Sequence, residues 1–351
     1  MPARCTSPML EAYVKLDNAL VWQSGLNPFY EVYYLKLNGP DWSFWARYTL
    51  STSLPAHPGG AASVWAIFTD ANGTKRAAKN TFDLSVHDVH HTEHFIQIGP
   101  SYLSLAEAIG QVEDAATPFK WDLAFEDPVT SLRLYPNALY YWLPFPRTKF
   151  TEPRLSTFVT GTLYVGDKKF SVQRAKCHQA HLWGEAYAND WSWANCIDFP
   201  DDETAFFEGL SARVPLGNSL SPSMSLFCAG FDGQIFRATS LCKSLWRNAS
   251  KVSGDEWQIR FISGLHRFDV QISRDPKLTT GVRYDGPNGE VRFCHNNGLA
   301  NIEMIVSKLG LKGWREIAKL SAKQRCAFET VGPEAREDIP ILLGADQAAS
   351  I

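Results

Sequence analysis

The amino-acid sequence predicts an all-β protein built from two barrels or sandwiches of antiparallel strands. Three observations support this prediction. Short segments rich in β-branched and aromatic residues follow one another, separated by Gly, Pro and Asn-Gly turn signals. Helical periodicity is scarce. Aromatic residues make up 13% of the 351 positions, and sheet faces provide the wide surfaces that bury so many rings.

The N-terminal half contains the first set of strands. Its predicted strands are 29–38, 42–51, 62–70 and 118–127. Asn72-Gly73 is a strong hairpin signal after the third of them. The stretch 135–156 holds four prolines, which suit a connector because proline spoils a central strand. The predicted domains are therefore residues 1–150 and 151–351.

The C-terminal half contains the second set. Its predicted strands are 157–173, folded around a turn at Gly166-Asp167, then 223–231, 234–242, 256–264 and 268–274, followed by a hairpin at 281–296. Two stretches have helical spacing of apolar residues, 105–115 and 305–320, and are predicted as short helices.

Charge and composition limit the classes of partner. The net charge is −3 and Lys and Arg are scattered, which argues against nucleic acid. No apolar run approaches the roughly 20 residues that span a bilayer, so no integral membrane segment is predicted. The N-terminus lacks a secretory apolar region, and seven scattered cysteines without a CxxC pair indicate reduced thiols. We therefore expect a cytoplasmic protein.

Common cofactor motifs are absent from the sequence. It contains no phosphate loop, dinucleotide-binding glycine turn, nucleophile elbow or zincin helix. We therefore expect chemistry by side chains alone, with no cofactor and no metal. The segment HDVHHTEH, with His87, His90, His91 and His94, would align four ligands on a helix. Its flanks alternate like strands, which favours a polar loop instead.

The stretch CHQAHLWGEAYANDWSWANC (177–196) is rich in tryptophan and histidine. As a hairpin pairing Trp183 with Trp191, it would place six side chains on one face. These are Gln179, His181, Trp183, Trp191, Trp193 and Asn195, with Asp190 at the mouth. The same hairpin would bring Cys177 near Cys196, so a disulfide is geometrically possible. The alternative is an ordinary aromatic barrel core.

Such a face would suit acid/base chemistry on a carbon–carbon double bond. Indole rings stabilise cationic character by about 0.5–2 kcal/mol per ring. A carboxylic acid buried among them has a raised pKa and can act as a proton donor. Asp190 and His181 are therefore the candidate catalytic residues. In the plain-core alternative both are hydrogen-bonded structural groups.

Several segments together resemble the hydroxyneurosporene-synthase (AttH-like) superfamily, which includes carotenoid 1,2-hydratases and, more distantly, tocopherol cyclases. The resemblance is carried by NPFYEVYYLKL, WSFWARYTL, SVWAIFTD, FKWDLAFE, HQAHLWGEAYANDWSWANCIDF and GVRYDGPNGEVRFCHN. It implies two lipocalin-like β-barrel domains packed together. It also implies cofactor-independent hydratase, cyclase or pericyclase-type activity on hydrophobic substrates.

The resemblance also assigns site residues. His181, Trp183, Gly184, Trp191 and Trp193 match the family's His-x-Trp-Gly and Trp-x-Trp signature, and Asp190 directly precedes the second part. Together with the hairpin face, this gives Trp183, Trp191, Trp193, Gln179, Asn195, Tyr30, Tyr34 and Trp45 as the candidate substrate-binding residues. Glu31 and Arg47, on adjacent predicted strands, could form a buried ion pair, and a structural role is favoured for both.

We therefore expect an isomerase, hydratase or cyclase acting on a hydrophobic polyene, terpenoid or polyketide-type metabolite. Its aromatic pocket should lie at the domain interface, where ligand sites often form. The alternative is a non-catalytic carrier that holds a lipophilic small molecule in the same pocket.

Overall fold

Two large antiparallel sheets hold almost all the described secondary structure, which confirms the all-β prediction. The computed structural model of the chain describes residues 15–52, 54, 57–84, 89, 94–114, 117–126 and 130–344. The first sheet contains β1 (Tyr30–Asn38), β2 (Trp42–Ser51), β3 (Ala61–Asp70), β4 (Lys75–Asp83), β5 (His94–Ile98), β6 (Ser101–Ser104), β7 (Glu107–Val112), β8 (Phe119–Phe125), β9 (Thr130–Arg133), β10 (Thr148–Val165) and β11 (Lys168–Gly184). Its order is β4-β3-β2-β1-β11-β10-β8-β7-β6-β5, with β9 also on β10.

The second sheet follows in the chain. It contains β12 (Asp190–Cys196), β13 (Phe206–Arg213), β16 (Met224–Phe231), β17 (Gln234–Ala238), β18 (Ala249–Ser253), β19 (Glu256–Ser263), β20 (His266–Ser273), β21 (Thr280–Asp285), β22 (Val291–Gly310), β23 (Gly313–Gly332) and β24 (Ile341–Leu343). Its order is β17-β16-β13-β12-β23-β22-β20-β19-β18, with β21 on β22 and β24 on β21. A separate ladder joins β14 (Pro215–Leu216) and β15 (Ser219–Leu220). The short helices are Ala138–Tyr141, Leu241–Arg247 and Pro276–Leu278.

Alternation along the strands divides the apolar side chains among three cores. On β1, Tyr33 and Leu35 enter the core inside the first sheet. Tyr30 and Tyr34 point the other way, into a core shared with the second sheet. On β23, Phe328 enters the core inside the second sheet. Each sheet therefore curls around its own core, and a third, aromatic core joins them.

The predicted hairpins agree with the structure. Asn72-Gly73 joins β3 to β4, Gly166-Asp167 joins β10 to β11, and residues 281–296 form the β21–β22 pair. Alternating apolar residues and a central turn signal were sufficient to predict these local pairings.

Both predicted helices are wrong. Residues 107–112 form β7, where alternate side chains are buried. Residues 305–320 belong to β22 and β23, which pair with each other around the turn that ends at Gly313. Gly313 has a φ of +97°, a conformation that glycine adopts without strain. Pairing of two long strands therefore outweighs a weak helical pattern.

The connector predicted at 135–156 is shorter in the structure. Strand β10 begins at Thr148, and its Pro153 lies where the register with β11 shifts between Thr151 and Arg154. A proline is tolerated there because a bulge interrupts the ladder. β10 and β11 complete the first sheet, so the chain passes to the second sheet between Gly184 and Asp190 rather than near residue 150.

No helix within the described ranges is long and apolar enough to cross a membrane. His87, His90 and His91 of the predicted histidine cluster lie outside the described residues, whereas His94 begins β5.

Candidate active site

The tryptophan-rich stretch 177–196 does not form the predicted hairpin. Trp183 on β11 lies opposite Glu31 on β1 and opposite Lys149 on β10. Trp191 on β12 lies opposite Ala212 and Val331 in the second sheet. Because β1 and β10 occupy both edges of β11, β12 has no edge to join there. The stretch instead contains the passage from one sheet to the other.

This passage separates the six residues predicted to share a face. Gln179, His181 and Trp183 alternate toward the inside of the first sheet, whereas Trp191 and Trp193 face the core between the sheets. Cys177 and Cys196 lie in different cores, and both are free thiols. The disulfide considered from the sequence is therefore not formed.

An aromatic cavity of about 250 Å³ lies between the two sheets. Of the residues predicted to bind substrate, five line it: Tyr30, Tyr34, Trp45, Trp191 and Trp193. Trp191 stacks on Tyr284, with ring centroids 6.4 Å apart and planes 9° apart. Phe145 and Leu216 also line the cavity, and both are exposed, so it opens to the surface beside them. We call it the intersheet cavity.

Two buried side chains of opposite charge face this cavity, Arg47 from the first sheet and Glu329 from the second. Arg147, whose side chain is mostly exposed, also lines it. The Arg47 guanidinium carbon lies 4.4 Å from the ring centre of Tyr284 and 4.9 Å from that of Trp65. Cation–π attraction therefore holds the guanidinium among the rings.

Burial raises the pKa of the Glu329 carboxyl above its ordinary value. A hydrogen bond from the Asn296 side chain and the charge of Arg47 lower the pKa and offset part of this effect. Glu329 lies opposite Trp193 in the ladder, so its carboxyl shares a sheet face with an indole ring that lines the cavity. The cavity thus holds a carboxyl group suited to donating a proton.

Tyrosine hydroxyls supply the other polar groups of the cavity. Tyr30 makes a 2.8 Å hydrogen bond with the Thr148 hydroxyl, which itself donates to the carbonyl oxygen of Ala186. Burial raises the pKa of Tyr187 and of Tyr284, so both phenols stay protonated at neutral pH. Apart from these groups and the charged Arg47, Arg147 and Glu329, the lining is mainly apolar, a composition typical of sites for lipophilic ligands.

Asp190, the first candidate acid from the sequence, does not line the intersheet cavity. It pairs across β12 and β13 with Arg213, whose Nη2 lies 2.7 Å from a carboxylate oxygen. Asn189 also donates to this carboxylate at 2.6 Å. About half of the Arg213 side chain is exposed, and such surface pairs typically contribute 0–1 kcal/mol. The geometry therefore gives Asp190 an ion partner outside the cavity lining.

His181 does not line the cavity either. Its Nδ1 lies 2.7 Å from the carbonyl oxygen of Asp17 and must donate, and its Nε2 lies 2.8 Å from Glu31 Oε1. Glu31 also accepts two backbone N–H groups, at residues 21 and 22, and the hydroxyl of Tyr33. These contacts hold the segment 17–22 against the first sheet.

The predicted ion pair between Glu31 and Arg47 is wrong. Glu31 points into the first sheet with Tyr33, whereas Arg47 lies opposite Tyr34 in the ladder and shares its outward face. Adjacent strands alone do not bring two side chains together, because they must also be on the same face.

Glu329 is the cavity residue that the sequence analysis missed. The sequence does contain a signal for it. In AFETV (327–331) alternate side chains share one face of a strand, and Glu329 shares its face with Ala327 and Val331, which are both buried in the core between the sheets. A carboxyl group on a buried phase of a strand is unusual and points to a site. Because residues 305–320 were predicted as a helix, the alternating pattern that follows them was not recognised as part of a buried strand.

Comparisons with known proteins agree with this architecture. The family model described as tocopherol cyclase-like matches residues 156–332, just over half of the chain. The chain belongs to this family. The family match includes β12, β13 and Glu329, whereas Arg47 lies before it. No curated protein matches the sequence.

Solved structures share the fold of this family member at low sequence identity. CghA is 9% identical, with 87% of this chain and 88% of CghA covered and a TM-score of 0.55. Kievitone hydratase from Nectria haematococca is 11% identical over 94% of each chain, with a TM-score of 0.51. A putative AttH from Nitrosomonas europaea, also 11% identical, covers 89% of this chain and 94% of its own, with a TM-score of 0.48. The family match agrees with the tocopherol cyclases named in the resemblance, and CghA and kievitone hydratase share the fold that the resemblance implies.

Proposed function

We propose that the chain is a hydratase, cyclase or isomerase that acts on a lipophilic substrate by acid/base chemistry in the intersheet cavity. The observation that carries the proposal is the buried Glu329 carboxyl, with its raised pKa, in a cavity lined mainly by aromatic and apolar groups. The names of relatives fit this class, since a tocopherol cyclase closes a ring and a kievitone hydratase adds water to kievitone.

The proposed reaction begins with proton transfer from Glu329 to an alkene carbon. A carbon–hydrogen bond forms, the adjacent carbon becomes cationic, and Glu329 becomes a carboxylate. The faces of Trp191 and Trp193 stabilise this cation. Addition of water gives an alcohol, addition of a hydroxyl of the substrate gives a ring, and loss of a neighbouring proton gives an isomer. In each case a proton returns to Glu329, which restores the acid.

Arg47 is proposed to bind an oxygen of the substrate. Its guanidinium is a permanent cation, which would disfavour a carbocation beside it, so the reacting alkene is expected at the Trp191–Trp193 side. The substrate class is therefore a polyene, terpenoid or polyketide-type compound that carries a phenol, carbonyl or carboxylate. Buried hydrogen bonds to a charged donor contribute about 1.5–3 kcal/mol.

Arg47→Met is expected to weaken binding of anilinonaphthalene sulfonate about 10- to 100-fold, because a charged donor to the sulfonate is lost. Binding of N-phenyl-1-naphthylamine, an uncharged analogue, should change little. Fluorescence titration of both dyes measures this. Arg213→Met, which removes an arginine outside the cavity, is the matched control. Equal weakening of both dyes by Arg47→Met would contradict the anchoring role.

Incubation in D₂O tests the reaction itself. Protonation of an alkene leaves a non-exchangeable carbon–deuterium bond, so mass spectrometry detects hydration, cyclisation and isomerisation in one assay. The panel should contain prenylated phenols, acyclic terpenes and kievitone. We expect deuterium incorporation into at least one class in wild-type protein.

The alternative proposal is a carrier, which the nearly apolar lining also suits. A carrier would bind both dyes and members of the panel without incorporating deuterium. Tight binding without incorporation into any compound bound would therefore contradict the enzyme proposal and support the carrier.

A further inference from the structure

A second group of ionisable side chains lies between the sheets, separate from the cavity lining. Glu152 on β10 and His178 on β11 come from the first sheet, and Glu208 on β13 comes from the second. All three are completely buried. One ligand atom from each lies within 4.8 Å of the others. The group therefore links the two sheets at their shared face.

Several of its polar atoms have no hydrogen-bond partner among the described residues. They are both carboxylate oxygens of Glu152 and Nε2 of His178. His178 Nδ1 lies 3.1 Å from the carbonyl oxygen of Leu155 and donates to it, so Nε2 carries a lone pair. This nitrogen faces Glu152 Oε1 at 4.0 Å. The lone pair of His178 thus lies beside two neighbouring carboxyls, those of Glu152 and Glu208. Buried polar atoms without a hydrogen-bond partner are rare in proteins.

The two carboxyls of the group lie side by side in the protein interior. Glu208 accepts from Trp193 Nε1 at 2.6 Å and from Asn195 Nδ2 at 2.9 Å, and both donors are uncharged. Two buried carboxyls beside an imidazole nitrogen form a set of ligands that a cation can bind once the carboxyl protons are released.

We propose that Glu152, His178 and Glu208 bind a divalent transition-metal ion that joins the two sheets behind the cavity wall. Carboxylate oxygens and a neutral imidazole are ligands that Zn²⁺ accepts, at about 2.0–2.2 Å. Ligand atoms at these distances in a tetrahedral site lie about 3.4 Å apart. The present spacing of up to 4.8 Å must therefore contract by about 1 Å when the ion binds. The ion balances both negative charges and takes the lone pair of His178.

The ion would also fix the cavity wall. Trp193 both lines the cavity and donates to Glu208, and the ring of Tyr34 lies 5.7 Å from that of His178. This role is structural, and it holds whether the cavity is catalytic or only binds a ligand. It departs from the expectation of a protein without metal that the sequence motifs suggest.

Zn²⁺ is the probe for the test. The full chain is stripped with EDTA and dialysed, then titrated with ZnCl₂ by calorimetry and reconstituted for metal analysis. We expect wild-type protein to retain one more Zn²⁺ per chain than Glu152→Gln, and affinity at this site to fall at least about 100-fold in that variant. Zn²⁺ should raise the thermal midpoint of wild-type protein by about 5 °C and leave that of Glu152→Gln unchanged.

His266→Gln, which removes a half-buried histidine from β20, is the matched control and should bind as wild type does. Zn²⁺ bound by the histidine-rich segment 87–94 would be the same in every variant. The test therefore depends only on the difference in Zn²⁺ content between wild-type protein and Glu152→Gln. The thermal midpoint in EDTA checks that each variant folds. Equal Zn²⁺ content and equal midpoint shifts in wild type and Glu152→Gln would overturn the proposal. The group would then be a pair of carboxyls that share a proton.

Discussion

Replacing Glu329 by Gln is expected to lower the rate of deuterium incorporation by about 10²- to 10⁴-fold, the range that one general acid contributes. Glutamine keeps the size of the side chain and can still contact Asn296, which bonds Glu329 in the native protein. Its amide N–H groups are not acidic enough to protonate an alkene. Binding of N-phenyl-1-naphthylamine should be unchanged, which separates loss of chemistry from loss of the cavity.

The pH dependence of turnover provides a second test of the role of Glu329. The raised pKa of Glu329 keeps the acid protonated at pH values where an exposed glutamate is already ionised. Turnover should therefore be high on the acid side and fall as pH rises through this raised pKa. Residual turnover in Glu329→Gln should lack that fall.

Asp190→Asn is the matched control for this experiment, because Asp190 is the carboxyl that the sequence predicted as the acid. It pairs with Arg213 outside the intersheet cavity, so we expect near-native turnover from Asp190→Asn. The reverse outcome, with turnover lost in Asp190→Asn and kept in Glu329→Gln, would reject the assignment of Glu329 and restore Asp190.

The contrast between these two carboxyls shows how far sequence alone could go. Alternation and turn signals were sufficient for hairpins such as β3–β4, because their pairing is local. The neighbours of β11 and β12 are strands distant in sequence: β1 pairs with β11, and β23 pairs with β12. Nothing in residues 177–196 encodes those partners. A local hairpin was therefore the natural but wrong inference.

For the cavity residues, too, the sequence predicts local features but not long-range contacts. Five of the aromatic residues predicted to bind substrate line the cavity, namely Tyr30, Tyr34, Trp45, Trp191 and Trp193, since large rings need a buried face. Which charged groups share that wall depends on how the two sheets pack. Arg47 and Glu329 are far apart in sequence and on different sheets. Only the tertiary arrangement brings them to one cavity.

The sequence predicts His181 as a catalytic residue, but the structure places it between Asp17 and Glu31, where it stabilises the fold. His181→Ala is expected to lower the free energy of unfolding by about 1–3 kcal/mol for each buried group left unpaired, and the Glu31 carboxyl is the first of these groups. The carbonyl oxygen of Asp17 also loses its donor. Urea denaturation at neutral pH measures this change, and dye binding by the folded protein should be unaffected.

A double-mutant cycle with Glu31→Gln separates this role from catalysis. If the two side chains stabilise each other, the double variant should be less destabilised than the sum of the single variants, by about 1–3 kcal/mol. A catalytic His181 predicts the opposite pattern, with native stability and lost deuterium incorporation in His181→Ala.

The distinction is sharp because both imidazole nitrogens are already occupied, one by a backbone carbonyl and one by Glu31. An imidazole so bound has no nitrogen left to exchange a proton with a substrate. Its effect must therefore pass through the segment 17–22 that it anchors to the first sheet.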